Sequence, residues 1–361
     1  MWRTGYILNR TADAVWFLAL PYAAIAFALA CNQWLPAVAV ASVTLWVTIP
    51  HHFATWVRAY GLSDDRRRWL GRLTLGPILI FATSLIAASY APITLILLSI
   101  LWDKQHVLMQ QHGFARIYDY KAQTGSKATA KFDLALNVIL FGNLFLTSPF
   151  FTPLWLRELY RLHLPLSASA VQTIHAVSWL VTGTYLVIYL LHLLWIVHRG
   201  QRLNPVKYLF LASSYFLWYF TAWHAGSALV YAIAGQLMHG IQYLVIAYIY
   251  TRRRMQQAGD HGPLASLLTW RGGATVFLTA GAFYAVVYQL VIGQSLAEFG
   301  FGVVTLQEAY PAIPHLNIGG LTGATAYDLF ATAVINSAAM THYYLDSFIW
   351  KVSDAKTREG L

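Results

Sequence analysis

The chain has 361 residues, of which 58% are hydrophobic and only 11% are charged. Soluble chains carry about 25% Asp, Glu, Lys and Arg, so this one lacks the charge to coat a water-facing surface around a core of its size. The single cysteine, Cys31, excludes an internal disulfide, a zinc ribbon and an intrachain iron–sulfur cluster.

A helix that crosses a hydrocarbon core of roughly 30 Å needs about 20 mostly apolar residues, each rising about 1.5 Å. Ten stretches meet this need, at 13–35, 37–58, 73–90, 92–116, 133–155, 168–198, 206–224, 226–251, 272–295 and 321–350. Charge clusters or Gly, Pro and Asn separate them, as in Asn32–Pro36, Asp64–Arg68 and His198–Arg202. The expected fold is therefore all-α, a single polytopic transmembrane domain over 1–361 built as a bundle of about ten helices. Arg3 and Arg10 precede an apolar run ending Ala28-Leu29-Ala30-Cys31, a loose match to a lipoprotein cleavage site. The nine spans behind it favour a retained first helix. The loop Ser295–Gly320, punctuated by Gly and Pro, is expected to form a small outer cap.

Cytoplasmic loops are enriched in Lys and Arg. Placing the N-terminus inside puts all 24 basic residues in cytoplasmic segments except Lys104, Arg157 and Arg161. Both termini are then cytoplasmic, and the expected location is the bacterial inner (cytoplasmic) membrane. The net charge of +10 becomes a marker of the inner face, with no nucleic acid partner required.

Histidine supplies 13 positions against 14 for Asp and Glu together. In this topology the histidines within spans fall on helices that run from outside to inside, as His51 and His52, His106 and His112, His175 and His192, His224 or His239, and His342. From His52, His106, His192, His239 and His342 to the next basic residue at the cytoplasmic end is about 9 to 20 Å at 1.5 Å per residue. One layer of five histidines is expected in the inner half of the bundle. A lone buried histidine is ordinarily a packed, hydrogen-bonded group. Ionisable groups inside a membrane are costly, however, and a layer of them marks a functional site. Imidazole is the commonest metal ligand, and nitrogen donors suit iron, copper and zinc.

Neighbouring residues extend the candidate set. His342 and Asp346 are four apart and share a helical face. Asp346 is read as a ligand, as the acceptor of the second imidazole proton, or as an ion-pair partner of Lys351 or Arg358. Trp102, His106, Gln110 and Gly113 form one stripe, while the face of His239 presents Gln242 and Tyr243. His52 aligns with Thr55 and Trp56, and His51 points about 100° away, so which of the pair faces the site stays open. The candidate ligands are His52, His106, His192, His239, His342 and Asp346. Gln110 is expected to orient ligands, and Tyr243 or Tyr343 to deliver a proton or hydrogen bond.

Glu158, Glu298, Glu308 and Glu359 fall in loops or the tail, which disfavours the glutamate-rich di-iron site of soluble bundles. A histidine-dominated site that binds non-haem iron and activates dioxygen, with copper or zinc as alternatives, fits better. This placement of histidines resembles that of integral-membrane non-haem iron oxygenases, nearest the bacterial membrane-bound carotenoid-cleaving dioxygenases. The resemblance implies a helical membrane protein of similar size with iron held by histidines on separate helices. The clustered histidine boxes of membrane desaturases do not occur. Expected partners are the lipid bilayer, dioxygen, an electron donor and an apolar substrate such as a lipid or isoprenoid. Two other classes remain: a haem b electron-transfer protein with axial histidines, and a transporter or proton channel with a histidine relay. Broken helices and an inverted repeat would favour transport, and the sequence displays neither.

Overall fold

The computed structural model describes every residue except 1, 226, 260–261, 293–316, 319–320 and 323–325. In chain order the helices are α1 (Arg10–Trp34), α2 (Ala37–Gly61), α3 (Ser63–Tyr90), α4 (Pro92–Ala122), α5 (Lys127–Thr147), α6 (Thr152–Arg161), α7 (Ala168–His198), α8 (Pro205–His224), α9 (Ala228–Ala258), α10 (Pro263–Thr269), α11 (Gly273–Val291), α12 (Ala326–Ile349) and α13 (Ala355–Gly360). Strands β1 (Asn317–Ile318) and β2 (Leu321–Thr322) form a two-residue antiparallel ladder. Most of the loop expected to cap the outer face, with His315, lies outside the described residues.

Among the described residues, six helices are long and apolar enough to cross a membrane: α1, α3, α5, α7, α11 and the Leu229–Ala258 part of α9. Their outward faces match that solvent. On α7, Leu180, Val187, Leu190 and Leu194 are all exposed, a contiguous apolar surface that water disfavours and lipid accepts.

Several boundaries differ from the expected breaks. The run Asp64–Arg68 lies inside α3, because Asp64 and Asp65 in its first turn complement the positive helix end. Charge there ends the apolar segment without ending the helix, and the chain departs from helical geometry only at Trp69 (φ −115°, ψ 17°). α4 likewise runs past Arg116 to Ala122. The stretch expected to continue to 155 stops at Thr147, and Pro153, which has no N–H to give, opens the separate helix α6.

The described chain divides into two compact units. The first comprises Met1–Leu35 and Val107–Met238, with α5 packed on α7 and α8, and α1 on α8. A buried charge cluster fastens it: Lys207 Nζ lies 3.0 Å from Asp119 and 2.8 Å from Asp133. Tyr189 donates to Asp133 at 2.7 Å, and Arg116 to Asp119 at 2.7 Å.

The second unit comprises Pro36–His106 and His239–Leu361. Here α12 packs on α3 and α2, and α11 on α2. One core cluster gathers Ile49, Ala285, Tyr288, Ile292, Tyr327 and Ala331; another gathers Ala59, Trp69, Leu73, Leu345, Phe348 and Ile349. Along α2 and α12, His51, His52 and His342 fall between these two apolar layers, so packing on either side holds their rings in place.

Candidate metal centre

Pro50 sits inside α2 immediately before His51. It cannot donate to the preceding turn, so the helical ladder loses a bond at the point where two histidines leave the helix about 100° apart. Both rings are buried nonetheless, as are those of His106 on α4, His239 on α9 and His342 on α12.

Four of these rings form a closed circuit contributed by four helices. Their centroids lie 5.1 Å apart for His51–His239, 5.1 Å for His239–His106, 4.5 Å for His106–His342 and 4.7 Å for His342–His51. Neighbouring rings are steeply inclined, between 67° and 89°. His52 flanks the circuit, 4.6 Å from His51 and 4.9 Å from His342. The ligand atoms of His51, His239 and His342 lie within 4.8 Å of one another, as do those of His106, His342 and Asp346. Asp346 Oδ2 is 3.9 Å from both His106 Nε2 and His342 Nδ1.

This donor set fits a metal ion. His51 Nδ1 and Nε2, His52 Nδ1, His106 Nε2 and His342 Nε2 are buried without a hydrogen-bond partner. An unsatisfied buried polar group costs about 1–3 kcal/mol, so this cluster is expensive unless something engages the nitrogens. With ligand nitrogens about 2.1 Å from an ion, the ring centres of tetrahedral neighbours fall about 5 Å apart, close to the spacing of the circuit.

A polar network borders the rings. Tyr243 donates to Asp346 Oδ1 at 2.7 Å and accepts from Thr55 Oγ1 at 2.7 Å and from Trp350 Nε1 at 3.1 Å. Thr55 Oγ1 also lies 2.5 Å from His342 Nδ1. Tyr343 stacks on His106, 4.8 Å between centroids, and donates to Asp103 Oδ1 at 3.1 Å. Asp103 is paired in turn with Lys104 at 2.7 Å. Gln242, one turn beyond His239, is buried with Nε2 unpartnered.

The structure brings together His52, His106, His239, His342 and Asp346, with Tyr243 and Tyr343 against them. Of the adjacent pair, His51 belongs to a ligand group and His52 stands beside it. His192 and Gln110 belong to neither group among the described residues. His192 lies in the first unit, stacked parallel on Phe132 at 3.9 Å with Nε2 3.3 Å from Thr129 Oγ1. Gln110 is one turn past His106, in the part of α4 assigned to that first unit. Sequence reasoning passed over Asp103 and Trp350. Their signals were present: a carboxylate three residues before His106, and an indole four residues after Asp346.

No protein family, curated protein or solved structure matches the chain.

Proposed function

We propose that the protein is an integral-membrane, metal-dependent oxidoreductase that holds non-haem iron among His51, His106, His239 and His342 and acts on an apolar substrate. The observation that carries this reading is the closed circuit of buried imidazole rings from four helices, with unpartnered nitrogens on His51, His52, His106 and His342. A neutral, nitrogen-rich donor set suits iron or copper as redox ions, with zinc as the non-redox alternative. Iron bound there supplies dioxygen activation.

The chain's own residues do the rest. The aromatic walls contributed by Tyr243, Tyr343 and Trp350 exclude water from the ring circuit. Tyr343 stacks its ring on His106 and gives its hydroxyl proton to the Asp103 carboxylate, an acid–base pair beside the rings. The Gln242 amide offers a free donor one turn from His239. The substrate class follows from the surroundings: a lipid, isoprenoid or comparable apolar molecule reaches the site sideways from the bilayer. An electron donor is needed if both oxygen atoms do not enter product. The reading includes ten spans with both termini cytoplasmic in a bacterial inner membrane, supported by the distribution of basic residues.

Elemental analysis and an optical spectrum of the detergent-purified protein test the proposal. Stoichiometric iron without a Soret band supports it. Iron with a Soret band replaces it with a haem b electron-transfer protein, and the absence of any stoichiometric metal replaces it with a transporter or channel using a histidine relay.

A further inference from the structure

We infer that Thr55, Tyr243 and Asp346 form a directional hydrogen-bond chain that fixes the tautomer of His342 so that Nε2 is its ligand atom. The chain seats the ion with His51 and His239 and makes Asp346 an anchor and not a ligand. This inference rests on the metal reading above, keeps its four histidines and removes Asp346 from the candidate ligands.

The direction follows from counting protons. Asp346 Oδ1 accepts from Tyr243, and an indole N–H only donates. Tyr243 gives its one proton to Asp346 Oδ1 and receives from Trp350 Nε1, which leaves its second lone pair for Thr55. Thr55 gives its one proton to Tyr243 at 2.7 Å, with Asp346 Oδ1 a longer acceptor at 3.4 Å, and with either acceptor the 2.5 Å contact between Thr55 Oγ1 and His342 Nδ1 carries its proton on the nitrogen. A neutral imidazole protonated at Nδ1 presents Nε2 as a bare lone pair, and His342 Nε2 is one of the buried unpartnered atoms.

Geometry then sets Asp346 apart from the histidines. Asp346 approaches His342 at 3.9 Å on the Nδ1 side, which Thr55 already engages, and Asp346 Oδ1 is taken by Tyr243. His51 carries two nitrogens without a hydrogen-bond partner, its ring is 4.7 Å from that of His342, and its ligand atom lies within 4.8 Å of those of His342 and His239. Thr55 and Tyr243 are thus positioning residues. They act on the ion only through His342, in the manner of the outer-shell partners that orient metal-bound histidines.

The test is a titration of ferrous iron into chelator-stripped, detergent-purified protein, with near-UV circular dichroism confirming that each variant is folded. Thr55→Val and Tyr243→Phe are expected to weaken iron binding by about 10–100-fold. Thr55→Ser keeps the hydroxyl and is expected to bind like the wild type, a rescue that a purely packing role for Thr55 does not predict. Asp346→Asn retains a carbonyl that accepts from Tyr243, so it keeps its iron, whereas His51→Ala and His239→Ala lose it. Unchanged binding in Thr55→Val, or loss of iron in Asp346→Asn with retention in His51→Ala, overturns the inference while leaving the metal reading intact. Failure of the wild type to bind iron overturns the metal reading itself, and the inference with it.

Discussion

The guanidinium of Arg58 donates to the carbonyl of Ile349 at 2.9 Å, closing the last turn of the helix that carries His342 and Asp346. Arg58 follows His51 by seven residues, so one face of α2 brings a ring to the centre and a charge to the end of α12. The guanidinium is fully buried, paired with Asp65 at 2.5 Å and flanked by the rings of Tyr250 and Trp350 at 4.3 and 5.2 Å.

Removing one member of this buried pair leaves the other uncompensated, which costs about 3–5 kcal/mol. Arg58→Met is therefore expected to lower the unfolding temperature sharply in detergent. Arg58→Lys keeps the charge but not the planar fork that reaches Asp65, Tyr250 and Ile349 together, and it restores only part of the loss. The double variant Arg58→Met/Asp65→Leu should be more stable than Arg58→Met alone. Thermal unfolding of the three proteins measures this, and a double variant no better than the single one would show that burial of the charge is not the source of the cost.

The unpartnered nitrogens make a second prediction about stability. An ion that binds only the folded state stabilises it by about 2.7 kcal/mol at a hundred times its dissociation constant. Chelator-stripped protein should melt at a lower temperature than iron-loaded protein, and the shift should vanish in His239→Ala. Equal melting temperatures with and without iron in the wild type would mean that the nitrogens are not ligands.

His192→Ala separates reading along the chain from packing in space. The helix pattern, the apolar stripes and the enrichment of histidine on particular segments were legible because each depends on residues close in sequence. His342 with Asp346 and His239 with Tyr243 were legible for the same reason, one helical turn at a time. What the sequence withheld was adjacency between helices: whether His51 or His52 turns inward, and whether a histidine at the right depth has the right neighbours. His192 stacks on Phe132 in the first unit, so its replacement by alanine should leave iron stoichiometry at the wild-type value while modestly lowering stability through the lost stacking. Loss of iron in this variant, with the fold intact by circular dichroism, would return His192 to the ligand set.

Close packing of α12 on α3 supplies the last prediction. At Gly76 a Cβ would collide with the ring of Tyr344, two residues from His342. That ring is not free to swing away without loss, since it packs edge-on against Phe348 at 5.3 Å and its hydroxyl reaches the carbonyl of Arg72 at 3.4 Å. Gly76→Val should therefore push α12 off α3, costing about 1–3 kcal/mol as an overpacked contact. Because α12 carries His342 and Asp346, iron affinity should fall along with the unfolding temperature. Tyr344→Ala in the same chain removes the obstructing ring, so the double variant should lose less than the sum of the two single changes, as expected for residues in direct contact. A strictly additive loss in both melting temperature and iron affinity would show that the Gly76–Tyr344 approach does not hold α12 in register with the ring circuit.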